Sequence, residues 1–221
     1  MARQTNQMRW QYQFLALAAA GLIASGLLLL VLSEFHQEIT QPWLSTLDQR
    51  AMSAVHAWTA PGPTRAMLIC SFIGGWKFVT PTVVVLTLLL LLRRAHREAA
   101  VLALAVGGSA ALNVGLKFFF HRLRPSIPWA LTHELSFSFP SGHAVAASCF
   151  YATITYLLAR GRQATARTTL IIIAVSIVLG IGLSRVYLGV HYPSDIAAGY
   201  LVGILWVGTV ILAFHYLEHP N

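Results

Sequence analysis

Phe139-Pro140-Ser141-Gly142-His143 opens a largely apolar run that continues from Ala144 to Ala159. A basic segment, Lys117 to Pro125, lies just upstream. Ser141 is placed to cap the helix that such a run forms, and Gly142 lets backbone N–H groups approach a ligand closely. A helix N-terminus is also a ready anion site. The stretch therefore predicts an apolar helix whose polar mouth holds a phosphate.

The rest of the chain says what kind of helix this is. It is 57% hydrophobic and 10% charged, against roughly 45–50% and about 25% in soluble domains. Several apolar runs approach or exceed the ~20 residues that cross a bilayer. The expected fold is all-α: a polytopic membrane bundle of six helices forming a single domain over residues 1–221. The spans fall at about 14–32, 67–92, 99–120, 142–159, 168–183 and 194–216. The first, beginning at Phe14, is long for a signal-peptide core and is expected to be retained.

Between the first two spans Leu44, Leu47, Ala51, Val55 and Trp58 recur at three- and four-residue steps. That stripe predicts an amphipathic helix, lying in the membrane interface or packed on the bundle. The formal charge of +8 is spread over short turns. With no Lys/Arg block, nucleic acid is excluded as a partner. Cys70 and Cys149 fall in apolar runs and read as buried thiols. No CxxC or Cys/His cluster is present, so neither a metal nor a cofactor is expected.

Six spans put both termini on one side. Arg3, Arg9, Arg93, Arg94, Arg97, Arg160, Arg162 and Arg167 share that side, which the positive-inside rule makes cytoplasmic. Lys117, Arg122, Arg124 and Arg185 fall on the outer side against the rule, so their placement calls for a function.

Four outward-facing pieces then converge. Lys117 and Arg124-Pro125 close the third span, with Pro125 disfavouring helix at Arg124. Ser141-Gly142-His143 opens the fourth. Arg185 ends the fifth, with Gly189 as its stop. His191 precedes Pro193, and Asp195 sits in the first turn of the sixth, where it can reach back to the imidazole. Each has a plainer reading alone: a snorkelling cation, a loop histidine, a helix cap. Together they set three cations, two histidines, a serine and an acid at neighbouring helix ends, which is costly unless they are paired or liganded.

Lys117-(six residues)-Arg124-Pro125, Pro140-Ser141-Gly142-His143 and Ser184-Arg185-(five residues)-His191-(three residues)-Asp195 together resemble the type 2 phosphatidic acid phosphatase superfamily, in its integral-membrane lipid phosphatase branch. The spans set the chain apart from the soluble vanadium haloperoxidases that share these residues. The resemblance implies that His191 attacks phosphorus and forms a phosphohistidine, with Asp195 orienting it. It implies that His143 protonates the leaving oxygen and then activates water. Lys117, Arg124 and Arg185, with Ser141 and the Gly142 backbone, would hold the phosphate oxygens without a metal.

The implied substrate is a lipid phosphate in the bilayer: phosphatidic acid, phosphatidylglycerol phosphate or polyprenyl pyrophosphate, met on the outer face of a bacterial inner or plasma membrane. A lipid phosphotransferase on the same scaffold is the enzymatic alternative, and a non-catalytic anionic-lipid binder or transporter is another. Arg122 reads first as a solvated loop charge, second as a contact to another phosphate. Lys77, inside the second span, has no assigned role. Ser126 to Phe139, with Trp129 and Phe137, is a candidate entrance for a lipid chain.

Overall fold

The structure is a computed structural model that describes residues 41–218. The expected span at 14–32 and the basic residues Arg3 and Arg9 lie outside the described residues. The chain divides into two compact units, Met1–Ser45 and Thr46–Asn221, and the candidate site residues all belong to the second.

Seven helices order the described residues: α1 (Pro42–His56), α2 (Pro61–Gly74), α3 (Trp76–Leu92), α4 (His96–Phe120), α5 (Gly142–Ala159), α6 (Ala164–Tyr187) and α7 (Pro193–Glu218). Among the described residues there is no strand. Among the described residues four helices are long and apolar enough to cross a membrane (α4, α5, α6 and α7), or five spans if α2 and α3 count as one.

The second expected span is not a single rod. Two glycines, poor helix formers, stand together at Gly74-Gly75, and α2 and α3 meet there at 41°. Gly75 is extended and serves both as the end of α2 and the start of α3. Gly74 also lets α2 pack tightly on α6, since a Cβ there would come within 2.3 Å of Ile181.

α5 is the central helix, packed against α4, α6 and α7. Its face toward α7 pairs small residues, Ala144 and Ser148 against Gly199 and Gly203, which is how membrane helices bring backbones close. Cys149 is buried in this layer and Cys70 is half-buried, both as free thiols.

α1 occupies the expected amphipathic stretch, but only part of the expected stripe docks: Leu44 is buried and Val55 packs beside Met52. Leu47 and Trp58 are 59% and 65% exposed, whereas Asp48 and Met52 are 1% and 2% exposed. Met52 packs with Ala144, Val186 and Ile196. A buried acid broke the apolar count because its partners lie more than seventy residues downstream.

The helix of the third span stops at Phe120, short of the end that Pro125 suggested. His121 takes the left-handed conformation at φ 47° and caps α4, its N–H bonding the Lys117 carbonyl. Residues 121–141 then run without helix, so Lys117 and Arg124 do not share a helical face. In the segment expected as a lipid entrance, the Trp129 ring stacks on His56 at 4.1 Å. Phe139 is fully buried against Phe120, with ring centroids 4.6 Å apart.

Candidate active site

The end of α6 and the start of α7 place the central pair. α6 closes in a Schellman turn: Val190 N–H bonds the Arg185 carbonyl and Gly189 N–H that of Val186, with Gly189 at φ 77°. This stop aims Arg185 inward and delivers His191 to the mouth of the bundle. Pro193 then starts α7, and Asp195 in its first turn faces back.

His191 Nδ1 lies 3.2 Å from Asp195 Oδ2. A neutral imidazole that donates from Nδ1 carries its lone pair on Nε2. Nε2 is 3.0 Å from Arg124 Nη1, so it faces the cations. Burial drives His191 down to about 4; Asp195 pulls the other way, and Arg124 and Arg185 add to the lowering. The imidazole is therefore neutral at neutral pH, the form a nucleophile requires.

The expected phosphate-binding residues come together around it. Arg124 reaches over the loop to donate to the Val190 carbonyl at 2.7 Å and the Ser136 carbonyl at 2.6 Å. Arg185 is buried and donates through Nη1 to Ser71 Oγ at 2.6 Å, while its Nε has no partner. Lys117 donates to the Phe137 carbonyl and, at 3.3 Å, to Ser136 Oγ.

Ser141 stands at the N-cap of α5, but its side chain makes no capping bond. Its Oγ is buried without a partner, a costly state that a bound anion would relieve. Gly142 follows, facing Asn113, whose Nδ2 would be 3.0 Å from a Cβ there.

His143 lies on α5 across from the break between α2 and α3. A Cβ on Gly75 would sit 3.1 Å from His143 Nε2, so a glycine is needed for that approach. Both line a cavity of about 790 Å³ that also takes in Lys117, Lys77, Glu134 and Phe72. Its walls are mostly apolar. Lys77 Nζ lies 5.9 Å from the Trp76 ring.

Glu134 is the residue that sequence reasoning missed here. Its carboxylate bridges Arg124, at 2.8 Å, and Arg185. Burial alone would raise it, but Arg185 and Arg124 outweigh burial and hold it below the usual carboxylate range. Burial lowers the Arg124 guanidinium, and Glu134 and Asp195 oppose that. The two arginines thus already bind an anion, in the position expected for phosphate. An acid between two basic motifs was the available signal.

Arg122 is not a solvated loop charge. It joins Asp195 Oδ1 at 2.6 Å and Asp48 Oδ2 at 2.9 Å. Neither Asp48 nor Ser138, which donates to Asp195 Oδ2, was singled out from sequence.

The PAP2 superfamily model matches residues 98–218. Phosphatidylglycerophosphatase B of Bacillus subtilis is 32% identical over 164 residues, covering 73% of this chain and 80% of that protein. The crystal structure of a transmembrane PAP2-type phosphatidylglycerolphosphate phosphatase from Bacillus subtilis superposes with a TM-score of 0.77 at 29% identity, covering 90% of this chain and 97% of the other. Aquifex aeolicus LpxE is more distant, with a TM-score of 0.57 at 26% identity over 77% of this chain and 96% of its own.

Proposed function

The chain belongs to the PAP2 superfamily, among its integral-membrane lipid phosphatases, and on that premise we propose that it hydrolyses a lipid phosphate through a phosphohistidine on His191. The observation that carries this reading is the orientation of His191: Nδ1 is held by Asp195 while Nε2 faces Arg124. A pocket that only bound anionic lipid would need cations but no oriented nucleophile.

Nε2 attacks phosphorus and the P–O bond to the lipid breaks. His143 donates the proton that the departing oxygen requires, then takes one from the water that cleaves the P–N bond. Asp195 keeps the proton on Nδ1 and stabilises the imidazole as it becomes cationic. Lys117, Arg124 and Arg185, with Ser141 Oγ and the Gly142 N–H, hold the phosphoryl oxygens. Entry of the phosphate displaces Glu134 from the two arginines. The three side-chain cations supply the charge stabilisation, and the mechanism calls for no metal.

The cavity beside α3 and α4 gives the lipid chain an apolar wall while its phosphate meets the charged end. Phosphatidylglycerol phosphate is the first substrate to test, because the Bacillus subtilis relative that is matched over four-fifths of its length is named for it. Phosphatidic acid and polyprenyl pyrophosphate are the others. The catalytic end faces outward, and both termini are cytoplasmic. The arginine-bearing turns between α3 and α4 and between α5 and α6 lie at the opposite end of the bundle, where positive charge favours the cytoplasm.

The test is phosphate release from these three lipids in detergent, with and without chelator, alongside His191→Ala. Loss of turnover with substrate binding retained is expected for the variant, and unchanged activity in chelator for the native chain. Release near the native rate from His191→Ala would end the nucleophile assignment, and activity abolished by chelator would end the metal-free one.

A further inference from the structure

The geometry points to Arg122 and Asp48 as positioning residues that fix the carboxylate of Asp195 for the step at His191, an inference that rests on the nucleophile reading above. Asp195 is fully buried and every donor to it is identifiable. Oδ2 is shared by His191 Nδ1 at 3.2 Å, the Tyr192 N–H at 2.9 Å and Ser138 Oγ. Oδ1 accepts from Arg122 Nη1 at 2.6 Å. That bond holds the second oxygen, so the carboxylate is fixed at both ends and Oδ2 stays on the imidazole.

Arg122 is itself held from three sides. Nη2 donates to Asp48 Oδ2 at 2.9 Å, Nη1 also donates to Ser194 Oγ at 2.8 Å, and its guanidinium lies 4.2 Å from the Tyr192 ring centroid. Asp48 is anchored in turn by the first turn of α7. It accepts the Ser194 N–H at 3.0 Å on Oδ1 and the Ser194 hydroxyl at 2.6 Å on Oδ2. A carboxylate from α1 therefore satisfies an otherwise orphaned N–H at the start of α7 and favours that helix end electrostatically.

The charges explain why two acids and one base are needed. Arg122 is shared between Asp48 and Asp195, so the trio carries one net negative charge beside His191. That charge is matched when the imidazole turns cationic in the intermediate. If Arg122 faced Asp195 alone, it would neutralise the charge that His191 needs. Asp48 keeps the guanidinium shared, and only a planar, two-armed cation spans both carboxylates.

Steady-state rates on phosphatidylglycerol phosphate, with thermal unfolding of the full chain in detergent, test this in Arg122→Gln, Arg122→Lys and Asp48→Asn, with His191→Ala as reference. Arg122→Gln should lower kcat on the order of 10–10²-fold, the usual effect of losing a group that orients a reacting side chain. KM should change by less than about threefold, because the step and not binding is affected. Arg122→Lys should recover little of kcat, since one ammonium cannot bridge both acids. Asp48→Asn keeps the shape of α1 and should also lower kcat, so it carries the test if Arg122→Gln fails to fold. The inference is overturned if His191→Ala is inactive while Asp48→Asn, or a folded Arg122→Gln, turns over at the native kcat, or if the loss is confined to KM. Turnover persisting in His191→Ala would overturn the nucleophile reading itself, and this inference with it.

Discussion

Replacing Glu134 by glutamine should strengthen inhibition by inorganic phosphate. Glu134 holds the two guanidiniums that the product phosphate must hold, Arg124 at 2.8 Å and Arg185 on its other oxygen. Arg185 and Arg124 keep the carboxyl ionised well below neutral pH, so phosphate enters only by breaking two charge-assisted contacts. Such contacts contribute about 1.5–3 kcal/mol each. Two reductions apply: the Glu134 side chain is 29% exposed, which screens the pair, and the glutamine amide oxygen still accepts from one arginine. The lower bound of one contact is then the fair expectation, about 1.5 kcal/mol or roughly tenfold in affinity. The assay is the competitive inhibition constant of inorganic phosphate against a detergent-dispersed lipid phosphate, native chain beside Glu134→Gln. KM for the lipid should fall in the same direction while kcat does not rise, because the removed competitor acts on ground state and transition state alike. An inhibition constant that is unchanged, or higher, in Glu134→Gln would refute the displacement.

The same geometry sets a pH limit and a steric one. In the free enzyme the His191 imidazole stands at about 4, and only its neutral form attacks. The acid limb of kcat/KM should therefore rise through about pH 4, below where an ordinary histidine titrates, which a pH–rate profile on the native chain measures. Gly75→Ala would put a Cβ 3.1 Å from His143 Nε2, so the ring must give by a few tenths of an ångström. Since about 1 Å of misplacement can cost ~10²-fold in rate, roughly a tenfold loss of kcat is expected, with thermal unfolding near that of the native chain.

What sequence reading could reach depended on how far apart the partners lie. The apolar runs are local signals, and the helices at 96–120, 142–159, 164–187 and 193–218 stand where those runs predicted. Motif spacing likewise placed Ser141, His143, Arg185, His191 and Asp195 at helix ends that the bundle brings together. The break at Gly74-Gly75 was visible as two glycines but not as a bend. Its cause is the packing of α2 on Ile181 and the closeness of His143, both set by helices far downstream in the chain. Pro125 suggested that helix could run on as far as Arg124, whereas the left-handed cap at His121 ends α4 before it.

The charged groups that were misread or missed share one property. Arg122 looked like a solvated base, Asp48 and Glu134 were not singled out, and each acquires its meaning from an ion pair across the fold. Asp48 meets Arg122 seventy-four residues on, and Arg122 meets Asp195 seventy-three residues on. Hydrophobic periodicity reports which face of a helix is buried, yet it is blind to an acid buried with its counter-ion, as the stripe on α1 shows. The useful sign was arithmetic rather than periodic. Four basic residues on the outer side opposed the positive-inside rule, and Lys117, Arg124 and Arg185 were assigned to phosphate. That left Arg122 without an anion. A half-buried arginine beside a catalytic acid needs a second carboxylate if the acid is to keep its charge for histidine, and the loop before the second span offered Asp48 as a candidate.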